Sequence, residues 1–215
     1  MKGLWKISGI FLLSVLYGLS LGGKGCLFFP EAGLPSLEFS LSQDIRLPYG
    51  FFVEGNIIYY RLFGIGVEEK NTFWGIFSGD IIGTLFSAGW QYQKKKWQSS
   101  LFLHAGWGYL FDMELREQIA REYIRTLERG EPLVVSTKTK DGHLFGWGIS
   151  TDFHYQWKRV SLGILAGWMD FEGKHPLTLH WSELFAGTLH QREKTWETRL
   201  VLRGIRVGLS FRILL

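Results

Sequence analysis

The chain has 215 residues, enough for one compact domain. Its 24 Lys and Arg against 20 Asp and Glu give only a mild positive balance, which excludes a charge-driven nucleic-acid partner, and its single Cys excludes a disulfide framework or a Cys-based zinc site. Twenty-seven Gly, ten Trp, eight Tyr and seventeen Phe exceed what a soluble core of this size needs. The first element, residues 1–22, has the layout of a secretory signal: Lys2 and Lys6, an apolar run over 7–21, then small residues, with cleavage expected near 22–25. A single membrane-anchor helix is the alternative, but the run is short and Gly18 interrupts it. A lipidated Cys26 is a third reading, in which Gly23 stands where a large aliphatic residue is expected.

From there to the end the sequence alternates with a period of two. Residues 23–29 form a short strand entering the turn signal Pro30-Glu31-Ala32-Gly33. Residues 36–47 place Leu37, Phe39, Leu41, Ile45 and Leu47 on one face and Glu38, Asp44 and Arg46 on the other. Residues 51–67 look extended but alternate less cleanly, because Arg61 falls on the apolar face. Strands follow over 81–92, 97–111, 143–157 and 160–171. In 97–111 the outer residues run from Trp97 through Leu101, Leu103 and Ala105 to Phe111, aromatic at the ends and small or aliphatic between. Glycines concentrate on the polar face, as Gly106, Gly108, Gly146 and Gly148 show, leaving gaps in a narrow lumen. The final segment alternates to the last residue, and its apolar positions change from even (Trp196, Leu200, Leu202) to odd (Ile205 onward) at Arg203-Gly204, which reads as a β-bulge. The short connections lie near 48–50, 94–96 and 158–159; the long ones span 68–80, 112–142 and 172–195. With both termini on the side of the short turns, the count is eight strands.

The fold class is therefore all-β: a transmembrane antiparallel up-and-down β-barrel of about eight strands over residues 23–215. A soluble ligand-binding barrel is the alternative. One outer connection carries a helix over about 113–129, capped by Asp112 and ended by Gly130, with Leu115, Ile119, Tyr123 and Leu127 as its stripe. It either lids the barrel or lies on lipopolysaccharide through its Arg-rich side.

In layout the chain resembles small bacterial outer-membrane β-barrels. Its closing segment, residues 205–215, resembles the terminal strand read by barrel-assembly machinery, with Leu215 where Phe is usual. The resemblance implies outer-membrane localisation and contact with outer-membrane lipid and lipopolysaccharide. Inside such a barrel Glu38, Asp44, Arg46, His104, Asp152, His154, Glu197, Arg199, Arg203, Arg206 and Arg212 would share the lumen, where opposite charges must pair or meet water. The main expectation is a plugged barrel with a structural or surface-interaction role; a small pore is the minority reading. A more distant resemblance in layout, to outer-membrane lipid A 3-O-deacylases, raises an ester-hydrolase alternative with His180, Ser182, Glu193 and Glu197. The family's His-x-Ser position is occupied here by Trp168 and Asp170, and Glu183 follows Ser182 where Asn often stands. The spacing of His175, His180 and His190 matches no standard metal site, and no cofactor is expected.

Overall fold

The computed structural model describes residues 19–31, 34–138 and 141–214. Strands β1 (Leu19–Pro30), β2 (Ser36–Arg46), β3 (Phe51–Glu69), β4 (Thr72–Lys94) and β5 (Trp97–Leu115) lead to helix α1 (Glu117–Tyr123) and a π-helical turn, Ile124–Glu128. A short β6 (Pro132–Thr137) precedes β7 (Gly142–Trp157), β8 (Val160–Phe185) and β9 (Thr188–Leu214). Each of β1 to β5 pairs with its chain neighbour, β5 pairs with β7, and the β8–β9 and β9–β1 ladders close a ring of eight antiparallel strands outside which β6 stands. The expected barrel and strand number are present, and the described strand ends Leu19 and Leu214 lie at the same end as the connections at 47–50, 95–96 and 158–159.

Alternation builds the wall because the two faces meet different surroundings. Leu41, Phe86 and Leu209 point outward and are 67%, 71% and 70% exposed, although each sits in mid-strand. This apolar belt ends in aromatic rows. Near the short turns lie Phe51, Trp90, Tyr92, Trp97, Tyr155 and Trp157, with Trp97 stacked on Phe153 at 5.0 Å. At the other end, Trp147 meets Trp168 edge-on at 4.8 Å. Two directly opposed ion pairs mark that upper limit on the outer surface: Arg61 donates to Asp80 at 2.9 Å, and Arg203 to Asp170 at 2.8 Å.

Above the belt the structure departs from the sequence reading. Residues 68–80 and 172–195 are not loops. The strands continue, and the hairpins close through two-residue turns in which both central residues have positive φ, Lys70-Asn71 and Ala186-Gly187. Nor is there a bulge at Arg203-Gly204, since the β8–β9 register runs through both residues without a shift and the β1–β9 register reaches Gly204 unbroken. The apolar positions change parity because the surroundings change. Below Arg203 the apolar side chains face out; above it Leu202 and Trp196 face in and join a core with Leu177, Leu179 and Trp181.

The helix starts later and ends sooner than the 113–129 expected. Asp112 does not cap it: that residue has φ of 51° within β5, which runs on through Leu115, and α1 begins at Glu117. Arg129, with φ of 56°, terminates the π-helical turn one residue before Gly130. Ala120, Tyr123 and Ile124 are buried in the upper core, so the helix lids the barrel. Its arginines are engaged by the protein: Arg116 donates to the Gly75 carbonyl, Arg121 to Glu117 and to the Pro132 and Leu133 carbonyls, and Arg125 to Glu131. β6 follows almost in line with β7 along β8, opposing residues 179–183 where β7 reaches only to Glu172.

The first described strand begins at Leu19, which pairs with β2, and residues 20–22 pair with both β2 and β9. The expected cleavage region, 22–25, lies inside this strand. The basic and apolar parts of the leader fall mostly outside the described residues.

Candidate functional site

Among the described residues, the inward positions at belt height carry four cations and four carboxylates. Lys24, Arg206 and Arg212 are buried, as are Glu38, Asp44, Glu54 and Asp152, while Arg46 is half-buried near the short-turn end. They arrange in tiers. In the upper one Arg206 donates to Glu38 at 2.8 Å and to the Ser150 hydroxyl at 2.7 Å, and the pair's side chains are 2% and 0% exposed. Arg206 also lies 2.6 Å from Nε2 of His104, while Ser87 lies 2.7 Å from Nδ1. A guanidinium can only donate, so Nε2 accepts and the ring proton sits on Nδ1, directed at Ser87. Asn56 extends the chain by donating to Ser87 at 3.2 Å and accepting from Lys24 at 3.2 Å; Lys24 also pairs with Glu54.

The lower tier centres on Arg212, which donates to Asp152 at 2.5 Å and stands 3.9 Å from Glu54. His154 lies 3.4 Å from Asp152, 2.9 Å from Ser210 and 3.3 Å from Ser161. Ser20 meets Asp44, and Arg46 donates to Gln98 at 3.4 Å. A small apolar group of Cys26, Phe52, Phe102 and Leu165 fills space among these polar groups. Over the upper tier lies an aromatic floor, with Tyr60 edge-on to Phe28 at 5.8 Å and to Phe171 at 5.3 Å. The ring of Phe171 occupies the space a side chain at position 146 would need, which is why that position is Gly.

The structure thus brings together Glu38, Asp44, Arg46, His104, Asp152, His154, Arg206 and Arg212. Arg203 is excluded from the lumen: its odd position turns it outward to Asp170. Glu197 and Arg199 lie on β9 opposite Pro176 and Lys174, above the belt, and their side chains fall outside the described residues. Sequence reasoning missed Lys24, Glu54 and Asn56. Lys24 and Glu54 share the even parity of the other lumen residues in their strands, but Gly23 and Gly25 flank the first, and the second belongs to a strand apolar on both faces.

The hydrolase candidates sit elsewhere, on the outer face of the β8–β9 hairpin. Nδ1 of His180 lies 3.4 Å from Oε2 of Glu193. Ser182 shares their face but stands opposite Val134 and Gln191 rather than either partner. Among the described residues no group of three or more His, Cys, Asp or Glu is arranged to hold a metal ion.

No protein-family model matches the chain, and no curated protein matches it in sequence. Solved structures do. The crystal structure of Neisserial surface protein A is 9% identical, with 93% of this chain and 97% of that one covered and a TM-score of 0.50. A major outer membrane protein from Thermus thermophilus is also 9% identical, covering 90% of this chain and 99% of that one, again with a TM-score of 0.50. The chain has the fold of small outer-membrane β-barrels.

Proposed function

We propose that this protein is an exported outer-membrane barrel with a closed lumen, whose role is structural or interactive: it braces the envelope and displays its tall outer hairpins. The observation that carries the reading is the interior. Eight strands enclose a space that side chains can fill, and here Arg206–Glu38, Lys24–Glu54 and Arg212–Asp152 pair across it beneath an aromatic floor. The apolar belt and its aromatic rows fit a bilayer core. Arg61 and Arg203 stand at the height of outer-leaflet headgroups, where lipopolysaccharide is the natural lipid partner. Residues 205–215 are the segment for barrel-assembly machinery. Purified protein in planar bilayers is expected to give a flat current trace at low voltage. Reproducible single-channel steps would overturn the closed lumen and favour a pore.

A further inference from the structure

The short-turn end of the barrel carries its exposed charge on one side. Lys94, Lys95 and Lys96 stand where β4 passes to β5, and Lys158 and Arg159 where β7 passes to β8; all five are exposed. β5 pairs with β7, so the two turns are neighbours, and the backbone N–H of Gln156 donates to the Lys96 carbonyl at 2.7 Å. The third short turn, Pro48–Gly50, has no cation. Asp44 and Asp152, the lowest carboxylates on β2 and β7, are buried in the lumen, and between the basic turns stand Gln93 and Gln156, hydrogen-bonded at 3.0 Å. Among the described residues no carboxylate pairs with any of the five cations. Turn geometry does not call for them either. Lys95 and Lys158 have φ of 57° and 55°, at the first position of two-residue turns, where Gly, Asn or Asp is favoured. On the bilayer side of the turns a depression of about 370 Å³ runs between Tyr92, Trp97 and Phe153, with Lys94 and Lys95 on its wall. Lys94 stands opposite Trp97, on the lipid-facing side of the sheet.

We propose that this corner of the barrel binds an anionic phospholipid from the leaflet at the short-turn end. Its acyl chain lies against Tyr92, Trp97 and Phe153, and its phosphate sits among Lys94, Lys95 and Lys96, with Lys158 and Arg159 beside it. The assignment rests on the membrane-barrel reading above. Five like charges on adjacent turns repel one another, and an anion placed among them relieves that repulsion. The lysine stems can follow the aromatic surface while their ammonium groups stay at the water boundary. The chemistry of the partner follows from the continuity of the two surfaces. A molecule with an apolar tail and an anionic head meets both the aromatic depression and the cations below it, whereas an acidic protein approaching from the aqueous side meets the cations alone.

The full chain, refolded in detergent micelles, would be given equal amounts of phosphatidylglycerol and phosphatidylcholine, and the retained lipids counted by native mass spectrometry. Each cation near an anionic surface adds about fivefold to association, so phosphatidylglycerol should be retained in about tenfold excess or more. Combining Lys94→Gln, Lys95→Gln and Lys96→Gln should remove most of that excess, and adding Lys158→Gln and Arg159→Gln the rest. Lys174→Gln, at the opposite end of the barrel, should leave it unchanged; an equal loss there would make the preference a general charge effect and overturn the site. Absence of any preference in the unaltered chain, or its abolition by glycerol phosphate at the same concentration, would overturn the lipid assignment in favour of an acidic protein or a water-soluble phosphate. Heat-modifiable gel mobility reports the barrel separately. A folded chain without lipid preference refutes the site and leaves the barrel standing, whereas a chain that never reaches the folded mobility overturns both. If the quintuple variant does not fold, the triple variant decides.

Discussion

Among single side chains, Arg206 joins three partners in the lumen: Glu38, Ser150 and His104. Removing one member of a buried pair leaves the other charge uncompensated, at a cost of about 3–5 kcal/mol. Arg206→Met should lower unfolding stability in lipid vesicles by about that amount, read from urea titration of Trp fluorescence. The double variant Arg206→Met, Glu38→Leu should recover most of the loss; an equal loss in both would mean that the ion pair is not its source. The sequence revealed this network in part. A charge among alternating apolar neighbours declares its face, as Glu38, Asp152 and Arg206 do. Lys24 and Glu54 escaped because parity has no contrast beside glycine or in a strand apolar on both sides. Partner choice was not legible at all, since Arg206 meets residues on other strands, 168 positions away in the case of Glu38.

Among elements, the lid is held by a cluster at Lys194. This residue donates to Glu69 at 2.9 Å and Glu128 at 2.6 Å, and lies 5.4 Å from the Tyr123 ring, joining β9, the tip of β3 and the end of the helix. Burial pushes the Glu69 carboxyl up, but hydrogen bonds from Tyr123 and Lys194, with the Lys194 charge, outweigh burial and hold it below its usual value. A depressed carboxylate contributes stability above its unfolded pKa and loses it as pH falls through the folded one. Amide protection over 117–128, corrected for intrinsic exchange, should therefore drop as pH falls below about 4. Lys194→Met should show low protection at neutral pH and a much smaller step; an unchanged profile would remove the cluster from lid closure. The presence of a helix was readable from the four-residue spacing, and of its expected stripe Tyr123 is buried while Ile119 and Leu127 pack against the core. Its start was not readable, since Leu115 belongs to β5, nor was the burial of Ala120 and Ile124. β5 keeps its ladder through Leu115 because β4 extends alongside it, opposing Leu115 with Phe77.

For the whole molecule, strand number and the common side of the termini were legible from the parity of short and long connections. The interior's division into a charged lower part and an apolar upper part was not, because a change of surroundings at Arg203 and a shift of register leave the same mark on a sequence. The arrangement predicts which ends face outward. An epitope inserted between Ala186 and Gly187 should be reached by antibody on intact cells, and one inserted between Lys95 and Lys96 only after the outer membrane is opened. The reverse pattern would invert the barrel. Sequencing the N-terminus of the mature protein checks where the leader ends: a first residue at 23 or later would remove the Ser20–Asp44 contact and the lowest rungs of β1.

The exchange of apolar and polar faces along β8 and β9 also bears on how the barrel stays in place. Below Asp170 these strands gain by facing lipid; above it their outer surface carries Lys174, Thr178, His180 and Ser182, while Leu177, Leu179 and Trp181 turn inward. During insertion the upper segment has to cross the hydrocarbon before its inner side chains have a helix to pack against. Once across, collapse of those side chains under the helix makes a knob that cannot be drawn back without exposing its core and dragging polar groups through the bilayer. Insertion then works as a ratchet, with the cap folded on the far side as its pawl.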